Sequence, residues 1–199
     1  MEEYKKIYIL MNKPVGYVCS AVSDSHKTVY QLLSPEFQDL VTKPKRGQRL
    51  HTVGRLDCNT SGLLLFTTDG IFSHKITSSK EIGGASLKKT YHARLAQKLS
   101  LAEQNSYIAS AATGLTLPAE KKFGEQKSAP ASLIFLSPDS CTITVCEGKF
   151  HEVRLIFRAL GNEVTRLERI SIGAPQLPED LKEGEWRPLT SREMEDLFL

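Results

Sequence analysis

The chain has 199 residues, 40% of them hydrophobic, with 26 basic and 23 acidic side chains and a formal net charge of +3. That is enough apolar material for one domain or two closely packed lobes and excludes a disordered chain, while the near-balanced charge leaves any nucleic-acid contact to local clusters of lysine and arginine. Cys19, Cys58, Cys141 and Cys146 lack CxxC spacing, and no apolar run reaches membrane-spanning length, which argues against a zinc ribbon and a transmembrane helix. Glu2, Glu3, Lys5 and Lys6 precede only a short apolar stretch, unlike a secretory signal, so a cytoplasmic protein with reduced thiols is expected.

In chain order, residues 7–11 and 17–20 are expected as short strands around the turn Lys13-Pro14-Val15-Gly16, and Thr28 as the cap of a helix through Leu33. Residues 35–48 are polar and carry Lys43, Lys45 and Arg46, so they are expected as an exposed basic loop: a phosphate grip or a solvated connection. Next comes Gly54-Arg55-Leu56-Asp57-Cys58-Asn59-Thr60-Ser61-Gly62, which leads into the apolar run Leu63-Leu64-Leu65-Phe66. The run has the pattern of a strand buried on both faces, with turn residues delivering the chain into it. Asp57 then sits on a rigid edge, either displayed for chemistry or closing an Asx turn.

Asp69 is placed to cap a helix over 71–77, and 88–95 is expected as a strand carrying Tyr91, a cross-strand packing residue or a stacking surface. Residues 100–112 are helical in pattern with Gly114 as a stop, and 129–136 and 141–147 alternate like paired strands. The clearest helix is 149–160, with Val153, Ile156, Phe157 and Leu160 on one face, Gly161 as its stop, and His151, Arg154 and Arg158 on another. That second face is a solvated stripe or a binding surface. Trp186 is expected to pack near the last strand. These patterns predict an α+β fold with a largely antiparallel sheet, with two sublobes divided near 96–128.

Four ordered blocks carry a family resemblance: Met11-Asn12-Lys13-Pro14-Val15-Gly16-Tyr17, Gly54-Arg55-Leu56-Asp57 through Asp69-Gly70, Lys89-Thr90-Tyr91, and Glu147-Gly148-Lys149-Phe150-His151-Glu152-Val153-Arg154 with its closing strand through Gly173. Together they resemble the pseudouridine synthases, in the branch that modifies ribosomal RNA at single uridines. The resemblance implies one catalytic domain over 1–199 with a mixed, largely antiparallel sheet flanked by helices. The His151 form of the last motif looks closest to the small-subunit ribosomal RNA enzymes, and a separate N-terminal RNA-binding domain is not expected.

The implied activity is an isomerase reaction in which the bond from the uracil nitrogen to ribose is replaced by one from a ring carbon. By resemblance, Asp57 is the catalytic carboxylate, Tyr91 stacks the detached base, and Arg154 is the basic residue beside the aspartate. Arg55, Lys13, Lys43, Lys45, Arg46, Lys149, His151 and Arg158 are the expected RNA contacts. No cofactor is implied, and no metal, since none of the five histidines forms HExxH. The expected partner is ribosomal RNA or an assembling subunit, with no membrane and a monomeric enzyme. The chain departs from the family pattern at Glu152, where glutamine is usual, and at Leu155, where another basic residue is usual. Two other readings remain: a non-catalytic RNA-binding module of the same fold, and a glycosidic-bond hydrolase using Asp69 or Glu147 as a second carboxylate.

Overall fold

The computed structural model describes residues 5–77, 87–120 and 123–197; the acidic residues Glu2 and Glu3 lie outside them. The first elements in chain order are β1 (Tyr8–Lys13), β2 (Tyr17–Val18), β3 (Lys27–Thr28), α1 (Pro35–Thr42), β4 (His51–Val53), β5 (Ser61–Thr67) and α2 (Gly70–Thr77). Then come β6 (Lys89–Leu95), α3 (Leu101–Thr113), β7 (Thr116–Leu117), β8 (Gln126–Lys127), β9 (Ser132–Ser137), β10 (Ser140–Val145), α4 (Glu152–Ala159) and β11 (Val164–Ile172). The last are β12 (Trp186–Pro188) and α5 (Ser191–Asp196). The mixture of helices with mainly antiparallel strands is the α+β class that the sequence patterns predict. By its contacts the chain groups into two units, Met1–Ser78 with Gly173–Leu199, and Ser79–Ile172. The stretch 96–128 lies within the second.

The first unit is organised by β5, whose seven residues are all buried. An apolar run pairs with a strand on either side and places side chains on two dry faces, and each fully buried leucine contributes about 2 kcal/mol of transfer free energy. Strand β1 runs antiparallel to β5 from Tyr8 opposite Thr67 to Lys13 opposite Gly62, β4 pairs with the far end of β5, and β12 covers the other edge of β1. Asp69 caps α2 as expected, its Oδ1 accepting from the backbone N–H groups of Ile71 at 3.0 Å and Phe72 at 3.2 Å.

Three expectations for this unit need correction. The strand at 17–20 is only the two-residue β2, paired parallel with β3, and the helix after Thr28 is a single 3-10 turn, Val29–Leu32. The polar stretch 35–48 is not all loop, because Pro35–Thr42 forms α1. Ser34 and Pro35 provide a favourable start, and Phe37, Leu40 and Val41 fall on one face at helical spacing. Phe37 meets the Trp186 ring edge-on at 5.2 Å between centroids, and the Trp186 indole N–H donates to the Leu32 carbonyl at 3.1 Å. The basic loop is thereby reduced to residues 43–50.

In the second unit the strand order is β11-β6-β10-β9, all neighbours antiparallel. Ala93, Leu95, Leu133, Cys141, Ile143 and Val145 face a core completed by Val153, Ile156 and Phe157 of α4 and Ala111 of α3. Helix α3 starts at a capping box, with the Ser100 hydroxyl accepting from the Glu103 N–H and the Glu103 carboxylate accepting from the Ser100 N–H. It stops at Gly114, whose φ of +78° suits glycine and whose Cβ, if present, would lie 2.6 Å from the Ser128 carbonyl oxygen. Among the described residues no helix is long and apolar enough to cross a membrane, and all four cysteines are free thiols.

Candidate active-site residues

Asp57 belongs to the first unit, in the turn that joins β4 to β5. Gly54, at φ +70°, releases the chain from β4, and buried Leu56 then anchors it. The Leu56 N–H donates to Cys19 Sγ, and the Cys19 thiol donates to the Leu56 carbonyl, both at 3.4 Å. The Thr60 N–H closes the turn on the Asp57 carbonyl at 3.1 Å, and the Gly16 N–H reaches the Cys58 carbonyl at 2.7 Å. The side chain of Asp57 is left half-buried, between exposed Arg55 and exposed Asn59.

The strongest anchor of this turn is Lys13. Its side chain has no exposed surface, and its ammonium donates to the carbonyls of Thr60 at 2.8 Å, Asp57 at 3.0 Å and Pro14 at 3.1 Å. A buried ammonium is costly unless its donors are met, and here three carbonyls meet them. Lys13, expected among the RNA contacts, instead points its charge at backbone: it fixes where Asp57 begins and where the turn ends. Lys43, Lys45, Arg46 and Arg55 are exposed and so available to a polyanion.

Tyr91 and Arg154 belong to the second unit. Tyr91 lies mid-strand in β6, opposite Ile143 of β10 and Arg169 of β11, on the same face as buried Ala93 and Leu95. Arg154, in α4, donates from Nη1 to the Val164 carbonyl at 2.9 Å, which ties the helix to the start of β11. Arg158 is exposed and pairs with Glu163 at 3.4 Å, while Lys149 donates to Glu147 Oε2 at 2.6 Å and to the Lys127 carbonyl at 2.7 Å. His151 precedes α4 in the left-handed region at φ 51°, and its Nδ1 lies 2.8 Å from Glu120 Oε2. Left-handed backbone at a non-glycine residue costs on the order of 1 kcal/mol, so the surroundings must hold it there.

Three wholly or partly buried charged groups of this unit were not among the expected site residues. Arg169 is 3% exposed, on β11 opposite Tyr91. The signal was present in its spacing of two from buried Leu167, which places both on one strand face. Lys89 donates to the Glu147 carbonyl at 3.1 Å, and burial, reinforced by the nearby Arg169 charge, lowers its pKa. Glu152 is 6% exposed, and burial, reinforced by the Glu147 charge, pushes its carboxyl up to about 7. Glu147 moves the other way: burial acts to raise it, but hydrogen bonds from Lys149 and the Ala129 N–H prevail and lower it. Among the described residues no group of three histidine, cysteine or acidic side chains could hold a metal ion.

A family model described as RNA pseudouridylate synthase matches residues 7–159. The ribosomal small subunit pseudouridine synthase A of Haemophilus influenzae is 40% identical over 190 residues, covering 96% of this chain and 73% of the relative. Its namesake from Escherichia coli is 38% identical over 187 residues, covering 94% of this chain and 72% of the relative. A solved structure of a pseudouridylate synthase superposes with a TM-score of 0.82 at 38% identity, covering 98% of this chain and 75% of that one.

Proposed function

The chain belongs to the RNA pseudouridylate synthase family, and we propose that it isomerises a uridine of small-subunit ribosomal RNA to pseudouridine with Asp57 as the catalytic carboxylate. The isomerisation needs a carboxylate at the anomeric carbon, either as nucleophile or to stabilise the ribose species left when uracil departs. It also needs a surface on which the detached base can turn before a ring carbon rejoins the ribose, and nothing is added or lost overall.

The observation that carries the assignment of Asp57 is the anchoring of its turn: the Asp57 carbonyl is held by both the Lys13 ammonium and the Thr60 N–H, with the carboxylate side chain half-buried rather than sunk in the core. A catalytic group held by a satisfied, buried frame pays little reorganisation at the moment of reaction. Tyr91 supplies an aromatic face that can stack uracil without a fixed hydrogen-bond pattern, and Arg154 is the third residue of the proposed catalytic set. The exposed cations Lys43, Lys45, Arg46 and Arg55, with Lys149, His151 and Arg158, contact the RNA backbone. The enzyme acts as a cytoplasmic monomer without cofactor or metal, on a uridine flipped out or already unpaired.

The hydrolase alternative requires a second carboxylate free to act as general acid. Asp69 is engaged by Lys6, Tyr8 and the first turn of α2, and Glu147 by Lys149 and the Ala129 N–H, which favours isomerisation. The test is pseudouridine mapping on ribosomal RNA of both subunits incubated with the protein and with Asp57→Asn. The expected result is a new pseudouridine in small-subunit RNA from the unaltered protein alone, with the variant folded and still binding RNA. Turnover by Asp57→Asn would remove the role of Asp57, and a released base would indicate hydrolysis.

A further inference from the structure

Three rings stand in a ladder at the start of α4. The His151 imidazole lies on Phe150 at 3.8 Å between centroids and 21° between planes, and Phe150 lies on Phe123 at 5.1 Å and 28°. Both ends of this ladder are fixed. At one end His151 holds left-handed backbone and faces the Glu120 carboxylate at 2.8 Å; at the other, Glu120 and Phe123 exchange backbone hydrogen bonds, both at 2.9 Å. Glu120 therefore anchors the first ring by its side chain and the last by its backbone. The outermost ring, Phe123, is 39% exposed, which is a large area for a phenylalanine to leave in water. Near the same helix start the Lys149 ammonium donates to the Lys127 carbonyl and to Glu147 Oε2, which holds the Lys127 backbone in place, and the Lys127 side chain is exposed.

We propose that the Phe123–Phe150–His151 ladder is a stacking platform for one unpaired base of the RNA substrate, with the exposed Lys127 side chain beside it toward the phosphate backbone. A pre-stacked set of rings offers a rigid flat face whose ordering is already complete, and every nucleobase has a π-face to lay on it. A cation beside an aromatic face is the combination that single-stranded RNA recognises, and it favours an RNA base over an apolar peptide segment as the occupant. The strain at His151 fits this role, since without the left-handed turn the imidazole would leave Phe150 and the ladder would lose its back support. The base concerned is distinct from the reacting uracil, which the proposed reaction assigns to Tyr91. The inference rests on that proposed function.

The test uses the full chain carrying Asp57→Asn, so that RNA is bound without being converted, and labelled small-subunit ribosomal RNA transcript as probe. Phe123→Ala and Phe123→Leu are each expected to weaken binding about tenfold, while Phe123→Tyr stays within about twofold, because stacking and not apolar area is what counts. Ultraviolet cross-linking of the complex, read by peptide mass spectrometry, is expected to join an RNA base to Phe123, a readout independent of any effect on folding. Unchanged affinity in Phe123→Ala, or Phe123→Leu binding as well as Phe123→Tyr, or no cross-link at Phe123, overturns the platform. The two failures separate: unaltered protein that forms pseudouridine while Phe123→Ala binds normally overturns the platform alone. Unaltered protein that neither binds nor converts the transcript overturns the proposed function and the platform with it.

Discussion

Replacing Glu152 by glutamine should make the protein more stable at neutral and alkaline pH and leave it nearly unchanged at mildly acid pH. Glu152 is 6% exposed at the start of α4, and the charged groups around it are Glu147, Lys149 and Lys89. Burial, reinforced by the Glu147 charge, favours the protonated form of Glu152 and raises it from an ordinary 4.5 to about 7, while Glu147, which burial alone would raise, is lowered by hydrogen bonds from Lys149 and the Ala129 N–H. At 1.36 kcal/mol per unit, a rise of roughly 2.5 units corresponds to about 3 kcal/mol. The folded-state value lies above the unfolded one, so this stabilisation is fully present below about pH 4.5 and is lost as pH rises through 7. Glutamine copies the shape and donor of the protonated acid and cannot ionise. The stability of Glu152→Gln relative to the unaltered protein should therefore grow by about 3 kcal/mol from pH 4.5 to pH 8, or roughly 6–12 °C in Tm for a chain of this size. Urea unfolding of both proteins at closely spaced pH values measures it. Parallel profiles across that window would refute the raised Glu152 carboxyl.

Lys13→Met should destabilise the fold by about 3 kcal/mol or more, because the carbonyls of Pro14, Asp57 and Thr60 lose their donor inside the protein. It should also lower kcat more than it raises KM, since the turn that holds Asp57 loosens; urea unfolding and steady-state kinetics check the two parts, and a loss under about 1 kcal/mol would contradict the clamp. Asp69→Asn should cost about 2 kcal/mol at neutral pH. Burial acts to raise the Asp69 carboxyl, but hydrogen bonds from Lys6, the Phe72 N–H, Tyr8 and the Ile71 N–H hold it at about 2, below its ordinary 3.8. That stabilisation is present above pH 3.8 and lost as pH falls through 2, so the Tm difference from the unaltered protein should vanish near pH 2; a difference that persists there points to packing alone.

Elements governed by neighbours a few residues apart were legible in the chain. The run Leu63 to Phe66 could bury both faces only as a strand between others, Asp69 could cap only the helix that follows it, and Ser100 with Glu103 carries both halves of a capping box. The turn before β5 was legible too, because its residue types are those a turn requires. Helix α1 was missed because polar residues and Pro35 outweigh a short apolar stripe, although Ser34-Pro35 is itself a helix start and Trp186, far along the chain, completes the packing of Phe37.

What only the tertiary structure decided is the use of the charges. A lysine in a basic motif has the same local sequence whether it grips phosphate or lies buried, and Lys13 is buried because β1 aligns it with carbonyls 44 and 47 residues further on. Arg169 and Glu152 likewise lie inside because strand register and helix docking set their depth, and the raised Glu152 carboxyl follows from that burial, reinforced by the Glu147 charge. The sequence by itself therefore determined the order of elements, the turn that presents Asp57 and the chemistry that an aspartate, a tyrosine and an arginine can perform. The fold decided which cations face solvent and which hold the frame, because the cost of a charge depends on partners and burial that distant segments supply.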